Sequence, residues 1–339
     1  SVRIYELAFR VSAKKDLFAC ARKIAVLTEN EAVLLQFEGL AYDVLPRGGD
    51  PKPNRSPRTT ATTEAPQVYD WPKSFDVAVL AVIPPELWAI HDCFGADRNN
   101  TRPVDGSIYY RGSAKSGSVS VVIHCQGTPG NHAAALATER LIASFRPRFI
   151  FLAGIAAGRP GKIRIGDVVV SRVVVDDTGG VVSRGRRLKR PLILPPPYSA
   201  VQWFQSYRHD RQRWHRRLGD MVSPPRAPKG RAEWYKDNVA KSPKATDAAI
   251  YSSNLLLKDP RVLEEHVEQT HEHIRVGEME AAGFAYACYA RPTPPPWYVV
   301  RAVSDFGKGK TEEFFQWASH SAATYLLDLI EDAIPSYAR

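Results

Sequence analysis

The chain has 339 residues, 44% of them hydrophobic, and a formal net charge of +10, a length that allows about two domains with a substantial core in the larger. No apolar run reaches the roughly 18 residues that span a bilayer, and no charged-then-apolar leader is seen, so a membrane or secreted protein is not expected. Cys20, Cys93, Cys125 and Cys288 are scattered without CxxC spacing and the histidines are unclustered apart from His271-x-His273, which speaks against a disulfide framework or a zinc site and for a reducing cytoplasm.

Residues 1–46 place Ile4, Leu7, Ala8, Val11, Leu17, Ala21, Ile24 and Ala25 at helical spacings, with Ser12 and Asp16 as start signals, so two or three short helices are expected. Residues 47–70 are rich in Pro, Thr, Gly and Arg and nearly free of apolar side chains. They read as a flexible linker with a reach of roughly 25–30 Å.

The remaining segment, 71–335, is expected to be one larger domain. Phe75 to Ile83 is an apolar run ending at Pro84-Pro85-Glu86, and Arg148 to Ala153 ends at the Gly154-Ile155-Ala156-Ala157-Gly158 turn. A strand is expected over Val168 to Val175 and a further segment over Ala248 to Lys258. Ile274 to Val276 leads into Glu278-Met279-Glu280 and a helix through Tyr289, on which Cys288 reads as core, and Trp297 to Val303 leads into Ser304-Asp305. Near-continuous apolar strands alternating with helical segments make this an α/β domain with a mixed, mostly parallel sheet flanked by helices. Ligands of such sheets bind outside the carboxyl ends of the strands, so Glu86, Glu280 and Asp305 are expected to converge with the Gly-rich turn on one cleft.

Between the strand at 168–175 and the segment at 248 lies an insertion of about 181–245. Residues 181–240 hold fourteen Lys and Arg against four Asp and Glu, a surplus of ten that equals the formal charge of the whole chain. Arg184, Arg186, Arg187, Lys189 and Arg190 form one cluster; Arg211, Arg213, Arg216 and Arg217 form another on an expected helix with Trp203, Phe204, Tyr207 and Trp214. Such a pattern serves a nucleic acid, the phosphates of a small ligand, an acidic partner or simply a solvated face.

Several of these stretches together resemble the superfamily of purine nucleoside phosphorylases and methylthioadenosine/S-adenosylhomocysteine nucleosidases. The matching residues are Leu80 to Leu87, Gly127-Thr128-Pro129-Gly130-Asn131-His132-Ala133-Ala134-Ala135, Gly154 to Gly158 with Ile165-Gly166-Asp167-Val168-Val169-Val170, Glu278-Met279-Glu280 and Ser304-Asp305, in an order and spacing that cover roughly 74–332. The resemblance implies that Asp305 protonates a purine, that Glu280 binds the ribose hydroxyls and that Glu86 activates the attacking water. It also implies substrate contacts at Met279, Ser304, Gly154, Ile155 and Ala156, a base-stacking segment around Ala248 to Ser253 with Ile250 or Tyr251 against the purine, and a homo-oligomer. Ser or Thr is common in the superfamily where Ile155 stands, so the contact at that position departs from the pattern.

Chemistry supplies its own reasons for these residue types. A purine leaves most readily as the neutral base, and a carboxyl whose pKa is raised by burial can deliver the proton. An ionised Glu accepts from two vicinal hydroxyls and stabilises positive charge growing at C1′. A second Glu can take a proton from water on the opposite face of the sugar, as in inverting glycoside hydrolysis. The set needs neither metal nor cofactor. Each residue also has a plainer use: Glu86 and Glu280 as acidic groups at helix starts, Asp305 as a turn residue before Gly307, and Gly154 to Gly158 as a tight connection. Glu278 points elsewhere than Glu280 and is expected to support the site.

The first 46 residues resemble, through Val2 to Ala8 and Ser12 to Leu17, the small helical N-terminal module of bacterial translation initiation factor two. That implies docking to a protein or RNA partner, with a stabilising appendage as the alternative. The expected activity is hydrolysis of the N-glycosidic bond of an adenine nucleoside or nucleotide, AMP or ATP included. The insertion's Arg184, Arg186 and Arg187 are the expected phosphate contacts. A phosphorylase of the same fold, and an inactive fold serving as ligand sensor or nucleic-acid-binding component, are the competing possibilities.

Overall fold

All five residues of β1 (Val77–Ala81) are buried, because the strand is covered on both faces: Ala78 and Leu80 point into one apolar cluster, and Val77, Val79 and Ala81 point into the other. The computed structural model describes residues 71–337 except 184–185, 228, 256–258, 260, 262, 266–269 and 308–313. The helical module expected at 1–46 and the linker at 47–70 lie outside the described residues.

β1 lies between β4 (Val119–Cys125) and β5 (Phe149–Gly158), parallel to both. Beyond β4, β3 (Ser107–Ala114) and β2 (Thr101–Val104) extend the sheet antiparallel. Beyond β5 the order is β12 (Trp297–Asp305), β6 (Val168–Asp176), β10 (Ala245–Ser252) and β11 (Ile274–Glu278). β11 then returns to β5, pairing Val276 with Gly158 and Gly277 with Ala157. Five strands therefore close into a ring, β5-β12-β6-β10-β11, with the rest of the sheet as an open wing.

That closure corrects one expectation. Gly154 to Gly158 is not a turn but the second half of β5, paired with β12 on one side and, at its end, with β11 on the other. Small residues are needed there for proximity: a Cβ on Gly158 would lie 2.6 Å from Val303 Cγ1.

Helices α1 (Pro84–Cys93), α2 (Asn131–Phe145), α6 (Ala281–Tyr289) and α7 (Phe315–Tyr337) flank the sheet. α2 and α6 approach so closely that a Cβ on Gly283 would meet the Asn131 carbonyl oxygen at 1.8 Å. Cys288 on α6 is fully buried, as expected of a core residue, and burial pushes its thiol pKa up. No helix among the described residues is long and apolar enough to cross a membrane.

The insertion carries β7 (Val181–Ser183) and β8 (Arg186–Leu188) as a hairpin, β9 (Leu192–Leu194) against β6, and helices α3 (Tyr198–Ser206), α4 (Arg211–Met221) and α5 (Ala232–Asn238). The single basic and aromatic helix expected from sequence is thus two. Asp210 starts the second by accepting from Gln212 N and Arg213 N, each at 3.0 Å. Trp203 and Trp214 are core residues with no exposure, and Arg213 and Arg217 pair with the buried Asp328 of α7. The second basic cluster therefore fastens the insertion to the domain, leaving Arg211 and Arg216 as its exposed members.

Candidate active site

At the start of α1 two prolines occupy the first helical turn, where a missing N–H costs nothing, and the preceding Ile83 has no side-chain oxygen to cap the helix. Glu86 supplies the cap. Its Oε2 accepts from Val82 N (2.7 Å) and Ile83 N (3.0 Å), and its Oε1 accepts from Ile155 N of β5 (2.8 Å). The plain use of Glu86 is thus realised without removing it from the cavity, which its carboxylate also lines.

Gly154 makes this placement possible. A Cβ there would lie 2.1 Å from Glu86 Oε1 and 2.6 Å from Arg301 Nη1, so the residue is glycine to let two charged groups pass over β5. It is a spacing position, and the structure does not bring it to the cavity wall as a substrate contact; Ile155 and Ala156 do line the wall.

Glu278, at the end of β11, accepts from Glu280 N (3.0 Å) and Ala281 N (2.9 Å) and so caps α6. Glu280 is held by two donors, Gly130 N to Oε1 at 2.9 Å and Arg301 Nη2 to Oε2 at 2.9 Å. Arg301 of β12 has no exposed side-chain surface; its Nη2 also donates to Glu278 Oε2 at 2.6 Å, and its Nη1 stands 3.5 Å from Glu86 Oε1. One guanidinium therefore serves three buried carboxylates. Burial, reinforced by the neighbouring Glu278, raises the Glu280 pKa to about 7, and burial raises that of Glu86 against the opposing pull of Arg301 and three backbone N–H groups.

Asp305 arrives by a β-bulge. Val303 pairs with Ala156 and Asp305 with Ala157, so Ser304 is the extra residue and the last side chains of β12 are re-aimed. Ser304 Oγ donates to Asp305 Oδ2 at 2.9 Å and Gly307 N donates to Oδ1 at 2.7 Å, Gly307 having a φ of 76° that favours glycine. The turn role and the cavity role again coexist in one carboxylate.

Glu86, Glu278, Glu280 and Asp305 line a cavity of about 210 Å³ whose remaining wall includes Met279, Ser304, Ile155, Ala156, Leu255 and Phe315. The structure does not bring Ile250 or Tyr251 there. Both sit within β10 and are buried, Ile250 in the core and Tyr251 with its hydroxyl donating to Asp177 Oδ2 at 2.7 Å. Among the described residues the chain reaches the cavity after β10 ends, where Leu255, 60% exposed, lines it. Of the insertion's expected phosphate contacts, Arg184 and the side chains of Arg186 and Arg187 lie outside the described residues. Among the described residues no group of three His, Cys, Asp or Glu is placed to hold a metal ion.

Two contributors went unassigned from sequence. Arg301 sits in the middle of an apolar strand, a position where a charge must be paired, and that alone could have flagged it. Asn131 accepts from Gly283 N (2.8 Å) and Ser252 Oγ (3.1 Å), locking α2 to α6 beside Gly130. No pattern in the chain announces that lock.

A family model described as the phosphorylase superfamily matches residues 76–335. Among curated proteins the chain is similar to the ATP nucleosidase Cap17 of Escherichia coli (strain KTE188), 29% identical over 267 residues that cover 75% of this chain and 51% of that one. It is also similar to the 5′-methylthioadenosine/S-adenosylhomocysteine nucleosidase of Haemophilus influenzae (strain PittGG), 25% identical, with 70% of this chain and 90% of that one covered. The chain thus spans about half the length of the first of these relatives. A solved 5′-methylthioadenosine/S-adenosylhomocysteine nucleosidase from Colwellia psychrerythraea 34H, in complex with adenine, shares the fold with a TM-score of 0.57 at 20% identity, over 77% of this chain and 96% of that one.

Proposed function

The chain belongs to the phosphorylase superfamily, and from that premise we propose that it is a purine nucleosidase, hydrolysing the N-glycosidic bond of an adenine nucleoside or nucleotide to free adenine and the sugar or sugar phosphate. The observation that carries this is the convergence of Glu86, Glu280 and Asp305 on one cavity from three separate elements.

In the proposed reaction Asp305 gives its proton to N7 of the purine as the C1′–N9 bond breaks and its electron pair passes into the base. Positive charge grows at C1′ beside a cluster with three carboxylates and one guanidinium, and that anionic surplus stabilises it. Glu280 accepts from the ribose hydroxyls. A water on the opposite face forms the new bond to C1′ and passes a proton to Glu86. Of the contacts around the Glu86 carboxylate the one to Arg301 is the longest, so the water takes its place there. Proton return from Glu86 to Asp305 through solvent resets the site.

Water is favoured over phosphate as nucleophile because an entering anion would meet Glu86, and the guanidinium nearest to it is already engaged by three carboxylates. Self-association and a docking role for residues 1–46 belong to the same proposal. The test is product analysis with adenosine, AMP, ATP and methylthioadenosine, with and without phosphate. Adenine released at a phosphate-independent rate is expected. Ribose 1-phosphate formed in proportion to phosphate would make the protein a phosphorylase, and no base release from any substrate would leave an inactive fold.

A further inference from the structure

A second recess, about 430 Å³ and larger than the catalytic cavity, adjoins it. Consecutive residues divide between the two: Glu86 and Pro129 line the cavity, Leu87 and Thr128 the recess. The wall between them is the turn after β1 with the loop from Gln126 to Gly130, tied together by Gln126 N to Ala81 O and Gly127 N to Val82 O, both 3.0 Å.

One face of α2 runs along the recess, with Ala133, Leu136, Ala137 and Arg140 spaced as neighbours on a helix. At 1.5 Å per residue, Arg140 stands about 15 Å along the helix axis from Gly130, the residue that holds Glu280. The Arg140 guanidinium is half-buried and has no carboxylate within ion-pair distance among the described residues; its one hydrogen bond is a long one, 3.4 Å, to Ser107 Oγ. Arg159, Arg213, Arg217 and Arg291, also incompletely exposed, each meet an acidic side chain, whereas Arg275 donates to the backbone carbonyls of Glu272 and Ile274. No Asp or Glu lines the recess, while Ser107, Tyr110, His124, Gln126 and Thr128 do. Asp105, in the hairpin between β2 and β3, and Arg140 act in opposite directions on the Tyr109 hydroxyl, whose pKa is raised chiefly by burial.

Two neighbouring spaces, parted by that wall, thus have opposite electrostatic character, one walled by four carboxylates and the other by neutral donors and a guanidinium without an ion-pair partner among the described residues. A substrate that reaches over the wall from one to the other must develop positive charge at one end and carry negative charge at the other. Building on the nucleosidase reading above, we propose that the recess is the 5′-phosphate subsite, that Arg140 is its cation, and that the substrate class is the adenine nucleoside polyphosphates. The distance of Arg140 from Gly130 sets the preference: a single phosphate stays near Gln126 and Thr128, whereas an extended chain of two or three reaches the guanidinium.

The experiment measures base release by the full chain and its Arg140→Met and Arg140→Lys variants with ATP, AMP and adenosine. Removing one charge-assisted contact is expected to raise KM for ATP about 10- to 100-fold with little change in kcat, to affect AMP less and to leave adenosine unchanged. Arg140→Lys should recover part of the loss. Unaltered ATP kinetics in Arg140→Met, or an equal loss with adenosine, overturns the assignment. Because Arg140 makes only one long hydrogen bond, thermal melting of the variants is expected to match the wild type. If the wild type releases base from nothing, the nucleosidase proposal fails by itself, and calorimetric titration with ATP and with inorganic tripolyphosphate still decides the recess. Binding that weakens in Arg140→Met supports the subsite; binding that is absent or indifferent to the substitution rejects it.

Discussion

Arg301 and Asp328 are each a fully buried ion at the centre of a charged cluster, and the clusters have opposite signs and opposite fates. Around Asp328 stand Arg213, Arg217, His209 at 3.8 Å and the Tyr207 hydroxyl at 2.8 Å. The surplus cations there are part-exposed, Arg213 by 34% and Arg217 by 27%, and Arg217 has a second partner in Glu331. Partial exposure and Glu331 offset much of the excess, although Arg213 Nη2 and Arg217 Nη1 are buried without a hydrogen-bond partner among the described residues. Around Arg301 the surplus is anionic and itself buried, with Glu86 and Glu278 each 2% exposed and Glu280 7% at the side chain. Backbone N–H donors to Glu86, Glu278 and Glu280 offset part of this surplus, and a bound proton or positive charge on something entering the cavity relieves the rest. A charged cluster that closes its own account is a fastening; one that cannot is a site.

The largest effect expected from breaking this contrast is at Arg301. Arg301→Met leaves three buried carboxylates without a cation, which should cost about 3–5 kcal/mol of stability and abolish base release. Arg301→Lys keeps the charge but loses the fork that reaches Glu278 and Glu280 together, so intermediate melting and activity are expected. A variant Arg301→Met that melts like the wild type would show that the cluster is not short of positive charge. Next in size is Asp305→Asn, which cannot supply a proton: kcat should fall about 10²- to 10⁴-fold while the melting temperature barely moves. Near wild-type turnover would remove Asp305 from the proton-donor role.

Much of this site was legible because its acids end apolar runs. Glu86 and Glu280 follow strands whose composition marks them, Asp305 ends one, and the ends of neighbouring strands meet in space. What stayed hidden was set by pairing between distant segments. The return of β11 onto β5 turned an expected loop into strand, and no local pattern encodes that return. Ile250 and Tyr251, expected against the base, lie buried within β10, and the described residue beyond it that lines the cavity is Leu255, because the end of β10 is fixed by its pairing with β6 and β11. The basic helix of the insertion illustrates the same limit: Arg213 and Arg217 look like a free cationic face until α7 supplies Asp328 and Glu331 from more than a hundred residues away.

The fastening cluster predicts the opposite dissociation of properties. Asp328→Asn removes the anion that anchors Arg213 and Arg217, and because both cations are part-exposed and Arg217 keeps Glu331 the cost should be below that at Arg301, about 1–3 kcal/mol. Base release from adenosine, measured as kcat/KM at a temperature where the variant is folded, should be unchanged. An equal loss of activity would mean that the insertion is coupled to the cavity and is not merely held in place.

The smallest effect expected is a dependence on pH that runs in opposite directions for stability and for catalysis. Glu280 has its pKa raised from 4.5 to about 7, so the folded chain binds that proton more tightly than the unfolded chain does. The stability it contributes is fully present below about pH 4.5 and is lost as pH rises through about 7, a decline on the order of 1–3 kcal/mol across that window. Glu280→Gln, uncharged at every pH, should flatten this slope. Catalysis needs the other form, because only the ionised carboxylate accepts from both ribose hydroxyls, so kcat/KM should climb as pH rises through about 7. Glu86 is raised as well and shares Arg301 with Glu280, so the observed midpoint belongs to the cluster and not to one residue. Melting temperature and kcat/KM followed between about pH 5 and pH 9 decide the matter. If both are level across neutrality, the buried surplus is already discharged in some other way, and the contrast with the Asp328 cluster loses its physical basis.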